Sequence, residues 1–210
     1  MPFVLDDIID RFWKDGRIKE LEELARTEGY HFSMRDRLDL QTYKIKNFRL
    51  FQGRKAKRLR GILSRTIDSI QVRIYDYVYY AESHKKKTTV FELFDDQLEL
   101  LPFIIRPKRS IQWLKEVFHR NTSFFPQASA FHAYYEIDTQ HQRNIDAQFT
   151  EDFIDLISSI KHVSVEGQGA YLLVYFRNTI VPAYEIGVKL DLTLQLLDSL
   201  YETEQSDQLL

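Results

Sequence analysis

The chain of 210 residues is 44% hydrophobic and 29% charged, which is typical of a folded globular protein with a packed core and excludes a disordered chain. It contains no cysteine, so a disulfide framework, a thiolate metal site and a cysteine nucleophile are excluded. The net charge is only −2, but residues 41–120 contain 18 basic and 8 acidic side chains, whereas residues 121–210 contain 4 and 13.

The first segment predicts two helices. Residues 3–13 place large apolar side chains at helical spacing, with aspartates on the opposite side. We expect Gly16 to interrupt this helix, a second helix to follow over residues 18–25, and Gly29 to stop it. The apolar stripe is too large to leave in water. We therefore expect it to pack on the body of the protein or to join two copies as a homo-oligomer.

No apolar run reaches the roughly 18 residues needed to span a bilayer. The N-terminus lacks a basic region and meets Asp6 early, so it is not a secretory signal peptide. The sequence therefore predicts a cytoplasmic protein without a transmembrane segment.

Residues 30–108 predict an antiparallel β-meander. Their runs are rich in β-branched and aromatic residues and are separated by polar turns. The expected strands are Leu59–Arg65, Ile70–Ala81, Thr88–Phe94 and Leu101–Ile105. A turn is expected at residues 67–69, and residues 83–87 read as a polar loop.

Residues 109–201 predict a mixed α/β half that packs on the meander. Its expected elements are a helix capped by Ser110, a strand over Phe131–Asp138, a helix capped by Thr150, and a hairpin over residues 162–176 that turns at Glu166–Gly169. Residues 186–196 fit both a strand and a helix, and their length favours a helix. The fold class is therefore α+β, with an N-terminal helical segment over residues 1–29, a C-terminal helix, and a frayed tail over residues 202–210.

Several phrases of the sequence resemble an uncharacterised bacterial family. Asp76-Tyr77-Val78-Tyr79 looks like its Asp-Tyr-x-Tyr element, and residues 101–107 look like its Leu-Pro-x-Phe-x-Leu-Arg-Pro element. Residues 150–156 and the hairpin with Val163-Ser164-Val165-Glu166-Gly167 are similar to its later elements. The resemblance covers residues 20–200 and implies one α+β unit. It implies no activity, catalytic residue or cofactor; some members carry transmembrane helices ahead of this region.

No catalytic or cofactor motif appears in the sequence. It has no glycine-rich phosphate loop, no zinc-protease motif and no nucleophile elbow. His132, Glu136, Asp138 and His141 have the residue types of a divalent-cation site. However, residues 132–138 of an extended strand span about 20 Å. We therefore predict a solvated strand face, no metal and no cofactor.

Asp76 is the carboxylate that stands out, because it lies in an otherwise apolar strand. A buried aspartate needs a firm partner or has a raised pKa. Arg73 or Arg106 is the expected partner, in a structural ion pair in preference to a catalytic role.

Two clusters of basic residues are the candidate interaction site. The predicted anion-binding residues are Arg54, Lys55, Lys57, Arg58, Arg60, Lys85, Lys86 and Lys87. Phosphates of nucleic acid or of lipid headgroups are natural partners, and Tyr75, Tyr77 and Tyr79 have the spacing of a base-stacking platform. Alternatively, the lysines only keep a hairpin tip soluble, the tyrosines pack under a helix, and the basic and acidic parts balance each other within the protein.

The sequence thus favours a non-enzymatic binding or accessory module, with no cofactor. The alternative is a protein that binds nucleic acid or an anionic membrane through the basic middle region. A protein partner is also compatible with the sequence, and an enzyme ranks third because no nucleophile, base and oxyanion set converges.

Overall fold

Eight strands pair side by side into one antiparallel sheet. In the computed structural model, residues 3–35, 44–81, 84–108, 129–140 and 145–206 are described. The strands are β1 His31–Arg35, β2 Lys55–Ile67, β3 Ile70–Ala81, β4 His84–Phe94, β5 Leu100–Pro107, β6 Tyr135–Thr139, β7 Val163–Gly169 and β8 Tyr171–Phe176. Their order across the sheet is β1-β2-β3-β4-β8-β7-β5-β6.

The helices of the described residues belong mainly to the two ends of the chain. They are α1 Phe3–Glu28, α2 Ser129–Tyr134, α3 Ile145–Gln148, α4 Glu151–Ser159 and α5 Ile186–Ser206. Short 3-10 turns occupy Lys44–Asn47, Arg49–Phe51 and Ala183–Glu185. The predicted α+β class, with a helix at the C-terminal end, is confirmed, and residues 186–196 are helical.

The helices cover one face of the sheet, which we call the helix-covered face. Because strand side chains alternate between faces, Val72 and Ile74 of β3 point to this side, where they share a core with Leu21 of α1, Phe153 of α4 and Leu190 of α5. The opposite, open face carries Tyr75, Tyr77 and Tyr79 of β3 and Tyr175 of β8. Only the short segment 45–51 packs on the described part of this second face.

Helix α1 ends where the sequence predicts, but the break that we expected at Gly16 is absent. Gly29 has a φ of +72°, and the Tyr30 amide donates to the Ala25 carbonyl at 2.9 Å, which is the Schellman arrangement that ends helices. Gly16, in contrast, lies inside one continuous helix. A glycine inside a helix costs only about 1 kcal/mol, and burial of Leu21 and Ala25 against the sheet outweighs this cost.

The predicted meander is correct for β2 to β4, which are consecutive neighbours, but β5 does not continue it. Strand β1, which was not predicted, precedes them in the same order. Strands β8 and β7 lie between β4 and β5. The predicted loop at residues 84–87 is also wrong, because these residues form the start of β4. Val78 pairs with Lys87 and Tyr80 with Lys85. Strand β3 is therefore long enough to pair with the lysine segment, which becomes part of β4.

Two elements of the second half are shifted from their predicted places. Phe131 and Tyr135 stack at 5.7 Å, a spacing of four residues that fits α2, so the expected strand begins only at Tyr135. The β7–β8 hairpin is confirmed, but Gln168 pairs with Tyr171 and the turn is Gly169-Ala170, with Gly169 at φ +55°. A glycine at the first central position is typical of such two-residue turns.

Of the remaining predictions, the helix cap at Thr150 is confirmed and the start of the C-terminal tail is not. Thr150 caps α4 as predicted, and its hydroxyl accepts from the Phe153 amide at 3.0 Å. The helix expected after Ser110 lies outside the described residues, as do the apolar side chains of residues 3–13. Backbone helix α5 continues through Ser206, beyond residue 201, where the frayed tail was expected to follow.

Asp76 is buried as predicted, but its partner is Arg17 of α1. The Arg17 Nε donates to Asp76 Oδ2 at 3.0 Å, and Thr89 Oγ1 donates to Asp76 Oδ1 at 2.7 Å. The two arginines expected in this role bond their own cross-strand neighbours. Arg73 contacts Glu92 at 3.2 Å, and Arg106 contacts Glu136 at 2.6 Å.

Replacing Gly167 with alanine is expected to lower the free energy of unfolding by about 1–3 kcal/mol, because the added Cβ overlaps the buried ring of Phe103. Gly187 on α5 is a matched control, since it is exposed and its added Cβ meets no atom within 4 Å. Its replacement with alanine is expected to raise stability by about 0.5–1 kcal/mol. Urea unfolding of both variants measures this, and an equal effect at the two sites would contradict the close packing at Gly167.

Candidate functional site

Part of the open face lies beyond the cover of the segment 45–51. The antiparallel order brings the last residues of β3, β5 and β8 and the first residues of β4, β6 and β7 to the same end of the sheet. The open face at this end carries Ile104, Arg106, Ser164 and Tyr175. Their shared face follows from the strand register, in which Ser164 lies opposite Tyr175 and Ile104 lies opposite Glu166. These side chains form the floor of a cleft.

We call this space the cationic cleft. Its volume is about 830 Å³. The segment 49–54 forms one wall, and residues at the strand ends form the rim. The described basic residues that line it are Arg49, Arg54, Arg106, Lys108, His162 and Arg177, whereas Glu136 is the one carboxylate among its described lining residues. A concave site lined by one sign of charge concentrates counter-ions.

Several of these cations lack a carboxylate partner within the described part of the chain. Arg49, Arg54 and Arg177 make no ion pair with a described residue. The guanidinium of Arg54 lies 5.0 Å from the centre of the Tyr79 ring, and its Nε has no hydrogen-bond partner. Arg106 is satisfied by Glu136. Within the described residues, the cleft thus contains three arginines that make no ion pair and a guanidinium with an unused donor.

A buried carboxylate holds the wall of the cleft in place. Glu166 of β7 accepts hydrogen bonds from the Arg49 amide at 2.6 Å, the Leu50 amide at 3.0 Å and the Tyr175 hydroxyl at 2.6 Å. Burial raises the pKa of Glu166, and these three donors oppose that rise without cancelling it. The segment that carries Arg49 and Arg54 is therefore fastened to the sheet through main-chain groups.

Two residues near the cleft have positive φ angles. His162, which lines the cleft, precedes β7 with a φ of 62°, and Asn178 has a φ of 59°. His162 adjoins Val163, and Asn178 lies between the cleft residues Arg177 and Thr179. A non-glycine residue with positive φ is uncommon, and such residues cluster at functional sites.

The tyrosines of β3 do not form a base-stacking platform. Tyr75, Tyr77 and Tyr79 are each at most 2% exposed, since they pack beneath the segment that contains Phe51. Tyr77 stacks on Tyr79 with 4.8 Å between ring centres and meets Phe51 edge-on. Burial raises the pKa of Tyr77. Too little of these rings is exposed for bases to stack on them, although Tyr79 borders the cationic cleft.

The predicted anion-binding residues whose side chains the structure describes do not form one site. Among these six, Arg54, which precedes β2, lines the cationic cleft and the other five do not. Arg58, Arg60, Lys85 and Lys87 lie opposite residues of β3 that point to the helix-covered face. Lys86 lies opposite Tyr79, on the open face, and the side chains of Lys55 and Lys57 are outside the described part of the structure.

Most of the cleft's basic residues were not singled out from the sequence. Arg49, Lys108, His162 and Arg177 are isolated along the chain, and only the strand pairing brings them together. Their common property is that they lie at or just beyond the ends of strands or turns. That position is a usable signal only when the strand order is known.

The described members of the metal-like set, His132, Glu136 and Asp138, do not form a group that could hold a metal ion. His132 lies on α2, whereas Glu136 and Asp138 lie on β6 and contact Arg106. His141 lies outside the described residues. Within the described ranges, no group of three potential metal ligands is found, and no helix in them is long and apolar enough to cross a membrane.

The fold is similar to that in the crystal structure of the mycobacterial trehalose monomycolate transport factor A. The TM-score is 0.55 at 11% sequence identity, over 90% of this chain and 94% of that chain. At this identity the likeness concerns the fold. No protein-family model and no curated protein matches the chain.

Proposed function

We propose that the protein is a non-enzymatic binding or accessory module that holds an anionic group in the cationic cleft. The observation that carries this proposal is the set of six basic side chains around a space of about 830 Å³, with Glu136 as the one carboxylate among the described lining residues. Guanidinium groups suit phosphate and carboxylate oxygens, because their fixed N–H donors match both.

Two further observations support an accessory role. The similar fold is that of a protein named as a transport factor, a name that denotes no chemical conversion. The described lining residues of the cleft also include no cysteine, and its serine, Ser164, is buried in the sheet. Catalysis requires a nucleophile, a base and oxyanion donors arranged around one point.

The shape of the cleft favours a small anionic group. A concave site of this size is typical of small-molecule pockets. A duplex needs an extended basic surface, and single strands are held largely by stacking on accessible aromatic rings. Because the β3 tyrosines are buried, a phosphate or carboxylate group fits the cleft better than a nucleic acid does.

A second candidate site uses the basic residues predicted from the sequence. Arg58 and Lys87 flank Val78 in the sheet, so their side chains lie on the same face. Arg58 is exposed, and Lys85, Lys86 and Lys87 are half-buried. Arg58, Lys85 and Lys87 share one face and form a strand row, whereas Lys86 points to the opposite face. The strand row is a candidate contact for nucleic acid or for an anionic membrane surface.

Three further predictions complete the proposal. The absence of cysteine supports a reducing compartment, and we place the protein in the bacterial cytoplasm, in keeping with the family resemblance over residues 20–200. A homo-oligomer or a protein partner would use the apolar stripe of residues 3–13. The α+β arrangement itself supports one working unit, with the cleft at one end of its sheet.

Replacing Arg177 with alanine is expected to weaken pyrophosphate binding about tenfold or more, because a charge-assisted hydrogen bond contributes about 1.5–3 kcal/mol. Arg26 is a matched control, since Arg26→Ala removes the same charge from an exposed site on α1. Titration calorimetry at low salt measures the affinity of both variants for pyrophosphate, a single-stranded oligonucleotide and anionic vesicles. The same three probes are tested on a triple variant with Lys85→Ala, Lys86→Ala and Lys87→Ala.

The pattern of losses separates the two candidate sites. A loss confined to Arg177→Ala supports the cleft, whereas a loss confined to the triple lysine variant, with oligonucleotide or vesicles, supports the strand row. Binding must also weaken as salt increases. If the wild type binds no probe at low salt, both anion-binding proposals fail and the basic region serves internal charge balance.

A further inference from the structure

A second cavity adjoins the cationic cleft. It has a volume of about 510 Å³ and shares Pro107, Lys108 and His162 with the cleft. We call it the side cavity. Its remaining walls come from α2, from the end of α4 and from the residues that lead into β7. The two spaces therefore border each other at residues that carry an ammonium group and an imidazole.

Three hydroxyl groups in the walls of the side cavity make their hydrogen bonds within the protein, and the exposed Lys161 also contributes to the lining. Ser158 donates to the Ile154 carbonyl at 2.6 Å, and Ser159 donates to the Leu156 carbonyl at 2.7 Å. The hydroxyl of Tyr135 donates to the Ile160 carbonyl. Because these hydroxyl groups are satisfied, an apolar ligand next to them costs no hydrogen bond.

The apolar part of the side cavity's lining reaches the protein surface. Ala133, Ile160 and the rings of Tyr134 and Tyr135 contribute to the lining. Tyr134 is 66% exposed, so a large aromatic ring stands in water beside this cavity. Apolar surface of this kind beside a charged cleft is the arrangement expected for a ligand with two chemically different ends.

We infer that the ligand is an anionic amphiphile with a single apolar chain, whose charged head occupies the cationic cleft and whose chain occupies the side cavity. This inference rests on the proposed function, because the head is the anionic group assigned there. Lys108 and His162 lie where the head joins the chain. A purely polar anion leaves the side cavity unused, and a neutral lipid gives no counter-charge to Arg49, Arg54 and Arg177, which make no ion pair within the described residues.

The test compares alkyl phosphates of increasing chain length, below their micellar concentrations, by titration calorimetry. Each added methylene group that enters the cavity is expected to tighten binding about fourfold, since its burial contributes about 0.8 kcal/mol. Butyl phosphate and decyl phosphate are therefore expected to differ by more than a hundredfold. Glycerol 3-phosphate serves as the head alone, and decyltrimethylammonium as the same chain with the opposite charge.

Two kinds of variant separate the head from the chain. Ala133→Trp fills the side cavity from an exposed position on α2 and is expected to weaken decyl phosphate while it leaves glycerol 3-phosphate unchanged. Ser159→Phe does the same from α4, so the test does not depend on one variant folding. Arg177→Ala is expected to weaken both phosphates to a similar degree.

The outcomes distinguish this inference from the proposed function. If glycerol 3-phosphate binds and chain length has no effect, the amphiphile is wrong and the anion site remains. The amphiphile is also wrong if decyltrimethylammonium binds as tightly as decyl phosphate, or if neither cavity-filling variant weakens decyl phosphate. If no phosphate binds at low salt, the proposed function itself fails.

Discussion

Replacing Arg17 with methionine is expected to lower the free energy of unfolding by about 3–5 kcal/mol, because it leaves the buried carboxylate of Asp76 without its cation. Both side chains of the pair are 5% exposed. Two contacts join them, Nε to Oδ2 at 3.0 Å and Nη2 to Oδ1 at 3.4 Å. The hydrogen bond from Thr89 remains, but one neutral donor does not offset the loss of hydration around a buried charge. Urea unfolding at pH 7 gives the value.

Arg26 provides a matched control in the same helix. Its side chain is 73% exposed and contacts Glu23. Arg26→Met removes the same charge and a comparable ion pair, but in water, where such a pair contributes about 0–1 kcal/mol. Losses of equal size at Arg17 and Arg26 would contradict the role assigned to burial.

A second control separates the unpaired charge from the lost packing of the Arg17 side chain. Asp76→Asn removes the charge and keeps an oxygen that accepts from Thr89. The double variant Arg17→Met with Asp76→Asn is therefore expected to be more stable than Arg17→Met alone. If the double variant is equally unstable or worse, the loss comes from packing and not from the stranded carboxylate.

The elements of the fold were largely predictable from local patterns. Residues 70–81 alternate with the two-residue period of a strand, and Thr150 precedes an acidic first turn, which is typical of a helix start. These signals are contained within a few neighbouring residues. The prediction of a strand over residues 131–138 is confirmed from Tyr135 onward but is wrong for residues 131–134, which are helical. Phe131 and Tyr135 fit both a strand and a helix, and only tertiary packing decides between them.

The strand order was not predictable in the same way. Residues 101–105 indicate a strand, but nothing near them indicates that its neighbours are β7 and β6. Pairing between distant segments depends on the packing of whole faces. The predicted partner of Asp76 was wrong because it also depends on contacts between distant segments. The two arginines proposed for this role each bond a glutamate directly opposite in the sheet.

The candidate site was predictable only in part. The basic segment around Arg54 was found because its charges are adjacent in sequence. Arg106 and Arg177, in contrast, are separated by 71 positions and meet only because β5 and β8 end at the same end of the sheet. The lysines at 85–87 were expected in a loop, yet the length of β3 places them within β4.

Replacing Glu166 with alanine is expected to lower the free energy of unfolding by about 2–4 kcal/mol, because it removes the acceptor of three hydrogen bonds. The Leu50 amide and the Tyr175 hydroxyl are buried, so water does not replace the carboxylate freely. Glu166→Gln keeps one acceptor oxygen and is expected to cost less. Urea unfolding of the two variants gives the difference.

The pH dependence of this effect has a definite sign. Burial raises the pKa of Glu166 above its ordinary value of 4.5, so the folded state holds the proton more strongly than the unfolded state does. The stability that Glu166 provides is therefore greatest below pH 4.5 and decreases as the pH rises through its folded-state pKa. Glutamine does not titrate, so the stability gap between the wild type and Glu166→Gln is expected to narrow from pH 4 to pH 7. A gap that widens would show that the three hydrogen bonds outweigh burial.

Glu166→Ala is also expected to weaken anion binding, although Glu166 does not line the cationic cleft. The carboxylate fastens the main chain at Arg49 and Leu50, and its loss frees the wall that carries Arg49 and Arg54. Charge alone predicts the opposite, since removing a negative group near the cleft strengthens its attraction for anions. Glu99→Ala removes the same charge from an exposed position and measures that general effect. If Glu166→Ala binds pyrophosphate more weakly and Glu99→Ala binds it equally or more tightly, the fastened wall organises the site. If both variants bind pyrophosphate more tightly, the wall contributes nothing to the site.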